Sequence, residues 1–425
     1  MPIVVDHRWR RPTLVGAMAL LSAYAAIAYH VRRQIADGYS DFISFYTAGK
    51  ILELDAGHRL YDLALEYQIQ HEYAPRVAIR AGALPFVRLP FAAWPFVPLA
   101  HLPYAAAFLV WDLATIILVI IIAALFRKHI AGLERVKLRL IILLLFSYFP
   151  VFVTLIQGQD ALWLLLVFAV TYVLLVRRRE EAAGMILGLG WFKFPLLIPF
   201  LAPFLAARRF RLLAGFGLTS TLLAAASFWT TGWPALAAYP RYLMAVNQLS
   251  RGVNDPRDMP NLRGLVQVIL DKHLSVVMIN LIVGALSLCL LAWLAMKARC
   301  FARAADNAVF SLAFSLDLVI TVLVSYHAHV FDLVLLALFL AIGWGILSSD
   351  APLRPTIRNT LAIALACLIF SPLYLLLALA SRYTMLLSLV LLGAALVISR
   401  TMSDLETHDR SNQHGACGRG FEVGI

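Results

Sequence analysis

Residues 274–296 run for 23 positions without a charged side chain. As a helix, at 1.5 Å per residue, such a run is roughly 34 Å long, enough to cross a hydrocarbon core of about 30 Å. Comparable runs recur near 12–30, 103–126, 138–156, 161–176, 212–230, 307–326, 330–347, 359–379 and 384–399. Within a bilayer the backbone must satisfy its own hydrogen bonds, so these runs are read as membrane helices. The composition agrees: the chain is 62% hydrophobic and 14% charged, against about 45–50% and about 25% in soluble domains.

The net charge of +12 does not point to nucleic acid, because the basic residues are not gathered on one face with stacking aromatics. They stand in short runs between apolar segments, "RKHIAGLERVKLR", "RRRE", "RRFR" and "KARCFAR", as cytoplasmic loops do. Arg8, Arg10 and Arg11 put the N-terminus in the cytoplasm, and alternating spans return each later basic run to the same side. The first apolar run follows "HRWRR" without a small-residue cleavage site and reads as a retained signal-anchor. Cys289, Cys300 and Cys367 fall in or beside apolar runs with no CxxC spacing, which suggests buried small hydrophobes. Residues 1–400 form one membrane domain, and 401–425 read as a polar, unstructured cytoplasmic tail.

Residues 182–207 break the alternation. They lie between two basic runs, so both ends belong on one side, yet about 26 residues are too few for two crossings at about 20 each. Lys193 and Pro195 interrupt the middle. A re-entrant hairpin lining a cavity resolves this, and counting it as two short helices raises the total from ten to twelve. Two long loops, about 31–102 and 231–273, then lie outside the cytoplasm, and loops of that length usually carry function.

The unusual polar residues collect on that outer face: Asp41, Gln157, Gln159, Asp160, Arg263, His327, His329 and Asp332. Ionisable groups at membrane depth mark functional paths or internal pairs. Asp41, opening "DFISFYTAGK", is either a helix N-cap or a general base for a hydroxyl. "QGQD" at 157–160 is a tight turn or a site for sugar recognition through its amides. In "YHAHVFD", His327, His329 and Asp332 converge only at a helix mouth. They could hydrogen-bond, hold a phosphate or a substrate hydroxyl, or bind a divalent metal, which their spacing does not favour. Lys193 in "WFKFP" either snorkels or meets an anion. Arg88 and Arg263 are surface cations or phosphate ligands. One prominent acid in the first loop suits an inverting transfer that needs a single carboxylate, with Asp37, Asp62 and Asp160 as competitors.

The ordered segments "DFISFYTAGK…LYD", "PFVRLPFAAWPFVPLAHLPYAAAFLVW", "LIQGQDALWLLL", "AAGMILGLGWFKFPLL" with "RRFR", "NLRGL" and "SYHAHVFDLVLLAL" resemble glycosyltransferase family 87, over about 40–345. The resemblance implies an all-α polytopic membrane protein of the C-type glycosyltransferase kind, with about 10–12 transmembrane or re-entrant helices and large extracytoplasmic loops. It implies residence in the cell inner membrane and transfer of a mannose-like hexose from a polyprenyl-phosphate donor to a glycan or glycolipid acceptor, without a cofactor. In such enzymes an acid just after the first helix acts as base, and Asp41 holds that position. The "QGQD" turn, Lys193 and "YHAH…D" carry over as pocket residues; from the residues themselves Gln157, Gln159, Asp160, His327, His329 and Asp332 are the substrate-binding candidates, and Lys193, Arg263 and Arg88 the phosphate-binding ones. Where the family often shows Tyr-Pro-Pro after the first loop, this chain reads "VRLPF". The competing readings are a transporter or flippase of lipid-linked sugars, against which the lack of related halves argues, and a non-catalytic scaffold.

Overall fold

The computed structural model describes residues 7–75, 83–248, 255–302, 308–349 and 351–418. Segments 76–82 and 249–254 of the two long loops, and the last residues of the tail, lie outside the described residues. Those described form helices and turns, with no strand among them.

The helices, in chain order, are α1 (His7–Ala36), α2 (Phe42–Glu53), α3 (Leu63–Tyr73), α4 (Tyr104–His129), α5 (Leu138–Ser147), α6 (Phe149–Gln157), α7 (Ala161–Val176) and α8 (Glu180–Gly188). There follow α9 (Phe194–Phe200), α10 (Ala202–Ala206), α11 (Phe210–Gln248, two helices joined by a kink at Gly232, whose φ is 72°), α12 (Leu262–Leu270), α13 (Val276–Met296), α14 (Ala308–Val324), α15 (Leu336–Ser348), α16 (Pro355–Ile369), α17 (Ser371–Leu375) and α18 (Leu387–Gly418). Among the described residues seven helices are long and apolar enough to cross a membrane, or nine if each of two bent pairs is one span. The shorter apolar α7 and α14 are buried along most of their length, so protein rather than lipid surrounds them. The chain is an all-α polytopic membrane protein.

Two runs that read as single spans are broken. α5 and α6 meet at 69°, and the Pro355–Ile369 and Ser371–Leu379 helices at 47°. Pro150 and Pro372 stand in the first turn beyond each break, where a missing N–H costs least. The breaks also repair each other. The Ser371 hydroxyl donates to Ser147 O at 2.7 Å and accepts from Phe149 N–H at 3.1 Å, while the Tyr24 hydroxyl donates to Ser147 O at 3.1 Å. Backbone groups freed at membrane depth thus find partners inside the protein.

Segment 182–207 turns back on itself. α8 enters beside α11, a 3-10 stretch Leu189–Lys193 forms the tip, and α9 and α10 return. Arg209 and Glu180 pair at 3.2 Å, and Arg209 donates to Phe301 O, so both hairpin ends meet at the basic end of the bundle. Length and hydropathy alone would admit Glu180–Phe200 as one crossing, but this pairing of the ends makes it re-entrant. Glycines let α8 and α11 touch. A Cβ on Gly184 would lie 1.9 Å from Leu212 O, and one on Gly215 2.1 Å from Glu181 O. Gly184→Val is therefore expected to cost about 1–3 kcal/mol, read as a lower unfolding midpoint in detergent. An unchanged midpoint would show that the helices need not approach so closely.

Two expectations are corrected. The tail is helical to Gly418 rather than unstructured from Met402: Met402 and Leu405 are buried, and Asp404 pairs with Arg354 at 3.0 Å. Cys300 is buried, but Cys289 and Cys367 are exposed, on helices α13 and α16 that turn much of their surface outward.

Candidate active site

A cavity of about 760 Å³ opens at the end of the bundle away from the basic runs. Asp41, Arg88, Gln157, Gln159, Lys193, His327, His329 and Asp332 reach it from five separate stretches of chain. Its other walls are apolar, including Phe149, Val153, Phe194 and Leu196. Ile198 and Leu379 line it and are also more than half exposed, at 52% and 60%, so the cavity reaches the flank of the bundle as well as its end.

Local sequence explains how Asp41 meets the glutamines. α6 ends at Gly158 in the left-handed conformation (φ 61°), where a Cβ would also lie 2.7 Å from the Cβ of Phe42. Only glycine suits both demands. Trp111 fixes the turn by donating to Gly158 O at 2.9 Å. Phe42 is fully buried among Phe96, Tyr104, Phe108 and Trp111. The "QGQD" turn therefore lies against the start of α2. Gln159 Nε2 donates to Asp41 Oδ2 at 2.8 Å, and Asp41 N–H donates to Gln157 Oε1 at 3.3 Å.

Asp41 occupies the N-cap position of α2, yet its side chain makes no capping hydrogen bond. The cap reading of its carboxylate is withdrawn, because Gln159 holds it toward the cavity instead. Asp62 does cap a helix, accepting from Ala64 and Leu65 N–H, and pairs with Arg59. Asp37 does not line the cavity.

The other acids that line the cavity are committed to cations, Asp255 to Arg257, Asp258 to Arg382 and Asp332 to Lys193, and so is Asp160, which does not line it but lies against the lining Arg88 and Lys193. Arg88 forks onto Asp160 at 2.9 and 3.0 Å. Lys193, 3% exposed at the hairpin tip, contacts Asp160 at 3.1 Å and donates to Asp332. Lys193 therefore does not snorkel. Burial pushes the Asp160 carboxyl up, and Arg88 and Lys193 overcome it, leaving its pKa below the usual range. Asp332 also accepts His329 N–H at 2.9 Å. Among the described residues Asp41 pairs with no cation.

His327 and His329 stand Nε2 to Nε2 at 3.0 Å, one donating and the other accepting. Burial, then His329 and nearby cations, push the His327 pKa well down. Burial lowers that of His329 too, against the pull of Asp332 and Asp41. Both rings are neutral at pH 7. No three His, Cys, Asp or Glu among the described residues are grouped to hold a metal. Arg263 does not line the cavity: its guanidinium stacks 4.0 Å from the Tyr326 ring centre, and Tyr326 does line it. Sequence reasoning passed over Arg382, which pairs with Asp258 at 3.0 Å on the cavity rim. Its signal was slight, one cation in the short "SRY" turn.

No curated protein and no solved structure matches this chain. A family model, Glycosyltransferase family 87, matches residues 86–326. The match holds Arg88, Gln157, Gln159, Asp160, Lys193 and Arg263, and stops short of Asp41 and of the histidine pair with Asp332. With more than half of its length matched, on an all-helical membrane bundle whose matched residues supply much of one polar cavity, the chain belongs to glycosyltransferase family 87.

Proposed function

We propose that this glycosyltransferase moves a hexose, mannose-like, from a polyprenyl-phosphate donor to a glycan or glycolipid outside the cytoplasm, with Asp41 as general base. One observation carries the reading: of the four acids that line the cavity, Asp41, Asp255, Asp258 and Asp332, Asp41 alone pairs with no cation among the described residues, and Gln159 aims its carboxylate while Gln157 holds its backbone N–H. A carboxylate bound to a cation is a poor proton acceptor, whereas a free, aimed one suits base catalysis. The cavity's opening on the flank suits a substrate whose sugar is polar and whose tail stays in lipid.

In the reaction the acceptor oxygen attacks the anomeric carbon and gives its proton to Asp41. The bond from that carbon to the phosphate oxygen breaks, and polyprenyl phosphate leaves with the electron pair. Arg88 and Lys193 stabilise the added charge on the phosphate by sharing themselves between it and Asp160 and Asp332. Neutral His327 and His329 bind hydroxyls or phosphate oxygens. Displacement from the opposite face inverts the anomeric centre. The positive-inside rule supports a cytoplasmic basic end and so a cavity that faces outward, and residence in a cell inner membrane is part of the same proposal.

The test is purified protein in lipid, given radiolabelled polyprenyl-phosphate hexoses and envelope extract. Transfer of label to an extract component is expected. Movement of the sugar lipid across vesicles without transfer would instead identify a flippase. Gln159→Ala is expected to lower kcat by about 10–100-fold with little change in donor KM, since misplacing a reacting group by about 1 Å can cost that much. A change confined to KM would make Gln159 a binding residue rather than the one that aims Asp41.

A further inference from the structure

Ribbon 84–88 connects the first long loop to the cavity, and side chains from α3, α11 and the loop hold its backbone. Gln70, fully buried in α3, grips Leu84 twice: it accepts Leu84 N–H and donates to Leu84 O, both at 2.8 Å. Phe86 N–H donates to Glu66 Oε1 at 3.3 Å. The Tyr239 hydroxyl donates to Val87 O at 3.0 Å, and that of Tyr61 to Arg88 O at 2.8 Å. The ribbon ends at Arg88, whose fork onto Asp160 forms part of the cavity floor.

Glu66 is the unusual member of this belt. It is 0% exposed, and no cation pairs with it among the described residues. Among the described residues its carboxyl meets Phe86 N–H and the Tyr242 hydroxyl, which lies 3.0 and 3.1 Å from its two oxygens. Among the described residues the titratable groups that face it are the phenols of Tyr61 and Tyr242, and Asp62, whose charge is taken by Arg59. A buried carboxylate without a counter-charge is costly unless it keeps its proton. We propose that Glu66 is a positioning residue: with Tyr242 it locks Phe86 in place and so aims Arg88 at the cavity floor, and it does this in its uncharged form.

Burial pushes the Glu66 pKa up to about 8. The contribution of a group whose folded-state pKa is raised is complete below its unfolded pKa and is lost as pH rises through the folded one. The ribbon therefore loosens on the alkaline side. The kinetic arm of the test rests on the transferase reading, and a second arm does not. Transfer by the full-length protein in lipid should fall about tenfold by pH 9, one unit above that value. Glu66→Gln, a neutral isostere, should keep most of the rate at pH 7 and lose this alkaline limb. Tyr242→Phe should lower kcat at both pH values.

In parallel, hydrogen exchange at the amides of Leu84, Phe86, Val87 and Arg88, corrected for intrinsic rates, should rise above pH 8 in the wild type. It should stay flat in Glu66→Gln. The same exchange profile in both proteins, or the same alkaline limb in both, overturns the proposal. If the ribbon loosens as expected in a wild type that transfers nothing, the transferase reading fails and the role of Glu66 stands.

Discussion

Asp41→Asn is expected to fold and bind the donor lipid but to lose about 10²–10⁴-fold in kcat, the usual span for removal of a general base. The substitution keeps the shape of the side chain and its contact with Gln159, and it removes the group that takes the proton. Transfer of labelled hexose and donor binding are measured on the same preparation. Turnover near the wild-type rate would remove Asp41 from the chemistry. Since the family match begins at residue 86, that result would leave the family assignment intact and move the search to another acid.

The second large effect concerns Lys193. Replacing it with Met removes the cation shared by Asp160 and Asp332, all three being nearly buried. Asp160 keeps Arg88, but among the described residues Asp332 retains only His329 N–H. Stranding a buried charge in this way costs about 3–5 kcal/mol. Lys193→Met is therefore expected to lower the unfolding midpoint sharply, and adding Asp332→Asn should restore much of it. If the single variant is as stable as the wild type, the ion pairs contribute nothing to the fold. If the double variant recovers stability but not transfer, the pairing serves the chemistry of the site as well.

Much of this arrangement was legible in sequence because membrane physics leaves few choices. Run length and lack of charge marked the spans, and basic residues on both flanks of a 26-residue apolar stretch marked the hairpin. Lys193 stood out because a lysine among "WF" and "FP" has no cheap explanation. The bends at Pro150 and Pro372 were not legible, since a proline in a first turn looks the same whether the preceding helix ends there or continues at an angle. Nor were the ion pairs, whose members lie 72 and 139 residues apart. Glu66 and Gln70 were hidden more thoroughly. "LALEYQIQHEY" has the composition of a solvated helix, and only the ribbon folded against it shows that two of its polar residues are fully buried.

The cavity floor also constrains how the protein is made. The four charges that pair with one another there alternate in sign along the chain: Arg88, Asp160, Lys193, Asp332. During synthesis Asp160 emerges to meet a waiting Arg88, and the hairpin then brings in a second cation. Its acid follows 139 residues later, roughly 7–28 s at about 5–20 residues per second. Until then Lys193 and Arg88 share a single acid, Asp160, which leaves one positive charge of the group without its counter-charge. The tip of the hairpin is thus expected to settle only once the stretch Val330–Leu335 has been made. A chain that stops earlier leaves the cavity end of the bundle open, so completion of the cavity reports completion of the bundle.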